Sequence, residues 1–245
     1  LCQGRYLITL LEQTMSGDNE GSQNRLSEER VATMQRALER FISEKRLAVA
    51  IGLVTEHGIL HLAAAGSVGG HAASPSSTVF PVASISKTVV ALLCMQSHSL
   101  GELDLDTDVN AYLPSGCHVR NPNFQDVPVT CRHLLQHCSG LQDDESALYS
   151  GSIWRTTGAD CPISLVEYVF KRINPASEVF EPWLWSKAHA PGAAGWKYSN
   201  AGFTILGLLL ETVSDVGTGG LDELAERRLF SPAGMTRSSF FLQKA

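Results

Sequence analysis

Two apolar runs, Ala48 to Thr55 and Ile59 to Ala65, are separated only by Glu56-His57-Gly58. Runs of this length closed by a turn that ends in glycine predict a β-hairpin. The rest of the chain reads mainly as helix. Ser27 is placed to cap a helix with Glu28 and Glu29 in its first turn, where the dipole favours acids, and Val31, Met34, Leu38, Phe41 and Ile42 line one face. Beyond a loop-like Gly66 to Ser77, apolar helices are predicted from Ser84 to near Gly101, over Ala201 to Val213 and over Leu221 to Phe230. Shorter helical pieces are expected at Arg132 to His137 and Ser164 to Arg172. One hairpin among many helices predicts an α-rich α+β fold.

Composition narrows the function classes. The chain has 245 residues, 44% hydrophobic and 18% charged, which is an ordinary globular balance with ample material for a core. A net charge of −6 leaves no basic surface suited to nucleic acid. The longest apolar stretch, Ala201 to Leu210, is about half of what a bilayer span requires. Tyr6 to Leu11 is apolar and follows a single basic residue, Arg5, but lacks the small-residue cleavage site of a signal peptide and is not read as one. The six cysteines lack C-x-x-C spacing, and Cys94 falls on an apolar helix, so a reducing setting, cytoplasmic or organellar, is expected. No glycine-rich phosphate loop follows a strand, so no nucleotide cofactor is implied.

The chemistry begins at Ser84-Ile85-Ser86-Lys87. Residues three apart share a helix face, so the hydroxyl of Ser84 and the amine of Lys87 can meet, whereas Ser86 points elsewhere. Ser-x-x-Lys alone is a string that chance supplies readily, and by itself it reads as a capped helix. A second string, Tyr198-Ser199-Asn200, stands directly before the apolar helix Ala201 to Val213 and is the sole Tyr-x-Asn in the chain.

Order then decides. Pro81 to Lys87, Gly101-Glu102-Leu103-Asp104-Leu105-Asp106, Val129 to Leu141 (with Leu134-Leu135-Gln136-His137-Cys138-Ser139-Gly140), Tyr198 to Phe203 and Leu229 to Thr236 follow one another. Together they resemble the class C β-lactamase and penicillin-binding-protein-like serine hydrolases over roughly residues 30 to 240. The resemblance implies a β-lactamase/transpeptidase-like fold, a helical region beside an antiparallel sheet, occupying 27–245 behind a flexible lead-in over 1–26. It implies Ser84 as acylated nucleophile and Lys87 as the neutral amine that takes or relays its proton. Tyr198 would share that relay, and Asn200 would bond the substrate amide or orient Lys87. The implied substrate is a small molecule or peptide: an amide, a lactam, a D-amino-acid peptide or an ester. No cofactor or metal is implied.

Two features bear on this reading. His133 and His137 lie four apart, flanked by Cys131 and Cys138, which is ligand-like spacing for zinc. No glutamate follows His133 as His-Glu-x-x-His requires, and the resemblance makes this stretch a packing helix. The family's third motif, Lys-Thr-Gly or His-x-Gly on a late strand, has no counterpart after Lys171, Lys187, Lys197 or Lys244, and Thr218-Gly219 falls between helices. Only the N-terminal hairpin of the sheet is then expected, in a chain that is C-terminally incomplete. The alternative reading is a non-catalytic binding or structural module with an incomplete site.

Overall fold

The computed structural model describes residues 28–45, 49–55, 58–68, 70–143, 160, 162–193, 195–214, 216 and 220–241. The lead-in expected over 1–26, the cap expected at Ser27, and Glu56 and His57 of the expected turn lie outside these residues. By their contacts the described residues fall in two units, divided near Phe80 and Pro81, with Gly234–Arg237 belonging to the first.

The first unit contains α1 (Glu28–Lys45) and the predicted hairpin of β1 (Val49–Thr55) and β2 (Gly58–Ala65). The strands are antiparallel, with Val49 opposite Ala65 and Thr55 opposite Gly58, and the register shifts between Leu53 and Val54. The segment from Gly66 to Ser77 is not all loop. β3 (Ser67–Val68) pairs antiparallel with β4 (His71–Ala72), and Gly70 at φ 85° supplies the left-handed residue that so tight a turn needs. Four residues are too few for an alternating pattern to register in the sequence.

The second unit is helical and carries the candidate site. Its helices are α2 (Ser86–Ser99), α3 (Cys131–Leu135), α4 (Leu165–Tyr168), α5 (Asn200–Val213) and α6 (Gly220–Ala225). α4 and α6 each run on through a wider turn, Val169–Ile173 and Glu226–Phe230. α5 is the axis, touched by α2, α3, α4 and α6, and every residue from Ala201 to Leu210 is buried. A helix apolar on all sides must be enclosed. Each fully buried leucine or isoleucine on it stabilises the fold by about 1.5–3 kcal/mol. Gly207 permits the closest approach, since a Cβ there would lie 3.0 Å from Leu165 Cδ1.

The caps locate the helix starts. Ser199 Oγ accepts from Gly202 N at 3.0 Å at the head of α5, and Ser164 Oγ accepts from Glu167 N at 3.2 Å at the head of α4. At α3, Thr130 Oγ1 accepts from His133 N while His133 Nδ1 accepts from Thr130 N, a reciprocal capping box. α2 turns Lys87, Val90, Leu93, Cys94 and Ser97 inward. The segment after it is tied to the end of α6 by Arg228, which donates to both carboxylate oxygens of Glu102 at 2.8 and 2.7 Å. Among the described residues no helix is long and apolar enough to cross a membrane.

Candidate active site

The sequence from Pro81 to Lys87 does not begin a helix at Ser84 as expected. Ala83 to Ile85 make a single tighter turn, and α2 starts at Ser86. Ala83 has φ 44°, a left-handed conformation that costs a non-glycine residue on the order of 1 kcal/mol. Ser86 Oγ ties the turn down by donating to Ala83 O at 2.7 Å. The outcome is an exposed Ser84 at the tip, with Lys87 still on the same side and pointing into the protein.

Ser199, in extended conformation, leads from Tyr198 into α5, whose first residue is Asn200, and His137 holds this approach in place. His137 itself sits just past α3 in a left-handed conformation, φ 57°. Its carbonyl accepts from Lys197 N at 2.8 Å and its Nδ1 accepts from Ser199 N at 3.1 Å. Accepting at Nδ1 leaves the proton of a neutral imidazole on Nε2. Burial, reinforced by the nearby Lys87 and opposed by Asp143, pushes the His137 pKa below its ordinary value and favours that neutral ring. The ring also packs 4.7 Å from the Tyr198 ring and 5.2 Å from that of Phe203, centroid to centroid.

Four predicted residues therefore converge. Ser84 Oγ lies 2.5 Å from Tyr198 Oη and accepts from Lys87 Nζ at 3.2 Å. Lys87 Nζ also donates to Asn200 Oδ1 at 2.6 Å and stands 4.9 Å above the Tyr198 ring. Tyr198 Oη is 3.5 Å from the same Oδ1, at the outer limit of a hydrogen bond. Chemically this is an exposed hydroxyl with a phenol on one side and an amine on the other, each able to accept or return its proton. Lys87, only 9% exposed, is held by acceptors and by the ring faces of Tyr198 and Phe203.

Sequence reasoning missed two participants. Asp143 Oδ2 accepts from both the backbone N and Nδ2 of Asn200, at 2.8 and 2.6 Å. His137 entered only as a possible metal ligand. Its place in an ordered run ending at Ser139-Gly140 was a usable signal, whereas nothing in the sequence singled out Asp143.

The zinc-like pattern disperses in three dimensions. The Nδ1 atoms of His133 and His137 are taken by separate backbone N–H groups, and Cys131 is buried beside Cys94, whose thiol pKa is pushed up chiefly by a hydrogen bond to Cys131 and by burial. Among the described residues no group of three or more His, Cys, Asp or Glu side chains is arranged to hold a metal. Cys94, Cys117, Cys131 and Cys138 are all unbridged.

The fold is that of the β-lactamase and transpeptidase-like proteins. The chain superposes on the octameric penicillin-binding protein homologue from Pyrococcus abyssi with a TM-score of 0.67 at 24% identity, covering 87% of this chain and 45% of that one. It also superposes on the D-amino acid amidase from Ochrobactrum anthropi SV3 with a TM-score of 0.60 at 21% identity, covering 86% and 53%. The Beta-lactamase family model matches residues 34–245, and the chain belongs to that family. It is 32% identical to esterase EstB from Burkholderia gladioli over 189 residues, 74% of this chain and 44% of that protein. It is 29% identical to penicillin-binding protein 4 from Amycolatopsis lactamdurans over 190 residues, 77% and 43%. The chain thus spans less than half the length of these curated relatives.

Proposed function

We propose that the chain carries the nucleophile, the proton relay and the amide-orienting residue of a serine hydrolase that works through an acyl-enzyme. The observation that carries the reading is the pairing of an exposed Ser84 Oγ with Tyr198 Oη at 2.5 Å and Lys87 Nζ at 3.2 Å. Ser84 Oγ attacks the carbonyl carbon of an acyl substrate as its proton passes to the Tyr198–Lys87 pair. The same pair returns the proton to the departing alcohol or amine, leaving Ser84 acylated. Water then attacks the acyl carbon and gives up a proton to the relay, which passes it to Ser84 Oγ as the acyl–oxygen bond breaks, releasing the acid and the free serine. Asn200 Oδ1 fixes Lys87 throughout, and His137 sets the height and tilt of the Tyr198 ring.

The substrate class is a carboxylic acyl derivative. Esters are tested first, because the relative from Burkholderia gladioli is named an esterase, followed by D-amino-acid amides and penicillins. The early time course of p-nitrophenyl acetate hydrolysis should show a burst equal to the concentration of sites, abolished by Ser84→Ala. A rate equal to that of Ser84→Ala for every member of the panel would overturn the reading.

The alternative expected from the sequence, a β-lactamase-like module that binds without turning over, is separated from the hydrolase by the same panel. On this reading Ser84 is phosphonylated by fluorophosphonates slowly or not at all, while a penicillin or D-amino-acid amide still binds.

A further inference from the structure

We propose that Asp143 is a positioning residue that sets the orientation of the Asn200 amide and thereby aims Lys87 at Ser84. The proposal rests on the hydrolase reading of Ser84, Lys87 and Tyr198. The two ends of an asparagine amide have nearly the same shape, so packing alone does not decide which one faces the amine. Here Oδ1 faces Lys87 Nζ at 2.6 Å and Nδ2 faces Asp143 Oδ2 at 2.6 Å. Turning the amide over would set the Nδ2 donor against Lys87 Nζ, which donates here, and the Oδ1 acceptor against a carboxylate, losing both bonds together. A carboxylate accepts only, so it can hold just one of the two orientations.

Two further features make the arrangement specific. The same Oδ2 accepts from the backbone N of Asn200, the first residue of the fourteen-residue α5. The carboxylate therefore satisfies a helix-end donor and sits where the dipole favours negative charge. Asp143 also stands two residues past Leu141, which pairs with Trp185 in an isolated bridge, and next to Gln142, whose backbone N donates to Leu184 O at 2.8 Å. Its backbone is thus anchored independently of Asn200. With Oδ1 on Lys87 and one Nδ2 hydrogen on Asp143, Asn200 keeps one donor hydrogen for a substrate carbonyl, so the role expected from sequence and the orienting role coexist.

The test uses the full chain and two readouts. In the first, labelling of Ser84 by a fluorophosphonate and turnover of p-nitrophenyl acetate are measured for Asp143→Ala and Asp143→Asn, alone and in an Asn200→Ala background. Asp143→Ala should lower the labelling rate and kcat about 100-fold, the scale set by a misplaced reacting group, with little change in KM. Asp143→Asn, which keeps an acceptor oxygen, should recover most of that loss. In the Asn200→Ala background Asp143→Ala should cost nothing more, because Asp143 acts through the amide. An equal fold-loss in both backgrounds, or no loss in either, overturns the proposal. In the second readout, the side-chain amide resonances of Asn200 in ¹⁵N-labelled chain should move on Asp143→Ala and hold nearer their place on Asp143→Asn. If wild type is not labelled at all, the hydrolase reading falls, and Asp143 is judged on these resonances: unmoved signals overturn its orienting role, and shifted signals uphold it.

Discussion

At the scale of single residues, the side chains that matter gather from widely separated stretches of chain. Ser84 and Lys87 are three apart, but Asp143, Tyr198 and Asn200 join them from more than fifty residues away. The predicted pair and the predicted Tyr-x-Asn were legible because each is a short string at the head of an apolar helix. Asp143 was not, since its meaning depends on a contact with Asn200 that no local pattern announces. If Lys87 carries the relay, Lys87→Ala should slow acylation of Ser84 by about 10²–10⁴-fold, the span of a lost general base, as read from p-nitrophenyl acetate bursts. A second prediction concerns pH. His133 and His137 both have pKa values pushed down, chiefly by burial. For such groups the unfolded chain binds the proton more readily, so their contribution to stability is complete above about pH 6.5 and is lost as the pH falls below that value and through the lower folded-state pKa. Urea midpoints should therefore drop on acidification toward about pH 5, before carboxylates titrate. A flat profile across that window would contradict the neutral rings.

At the scale of elements, the caps and turns hold the site in place. Apolar periodicity made α1, α2 and α5 readable, because burial selects it over many residues. The start of α2 was misjudged by two residues, since the left-handed Ala83 inserts a tight turn that its own identity does not advertise. α6 likewise relaxes into a wider turn at Glu226–Phe230 where an unbroken helix was expected. Ser199→Ala removes the cap from α5 and should cost about 1 kcal/mol in urea unfolding. The approach to Tyr198 is more sensitive. Gly192 has φ 79°, and a Cβ there would lie 2.7 Å from His133 Nε2. Gly192→Ala should therefore destabilise by more than the roughly 1–2 kcal/mol of a left-handed alanine alone, and should slow Ser84 labelling as well. Equal stability of wild type and variant in urea would show that this turn does not constrain the segment.

At the scale of the whole molecule, the helical unit supplies every group named in the site, and its centre is α5. Leu206 and Leu209 are both fully buried on that helix, so Leu206→Ala or Leu209→Ala should cost about 2–5 kcal/mol. Because the head of the same helix carries Tyr198 to Asn200, these cavities should also blunt acylation. The fold class followed from one hairpin among helices and from the ordered strings, and the solved structures bear it out. What the sequence reading placed least well was small: the β3–β4 ladder and the helix ends, where a few backbone angles decide. The central claim is that Ser84 is a nucleophile activated by Lys87 and Tyr198. Its most direct test is peptide-level mass spectrometry of the chain after exposure to a fluorophosphonate. The account predicts a single phosphonyl adduct on Ser84, absent in Ser84→Ala and sharply slowed in Lys87→Ala; an unmodified Ser84 in wild type, or an adduct formed equally fast without Lys87, would contradict it.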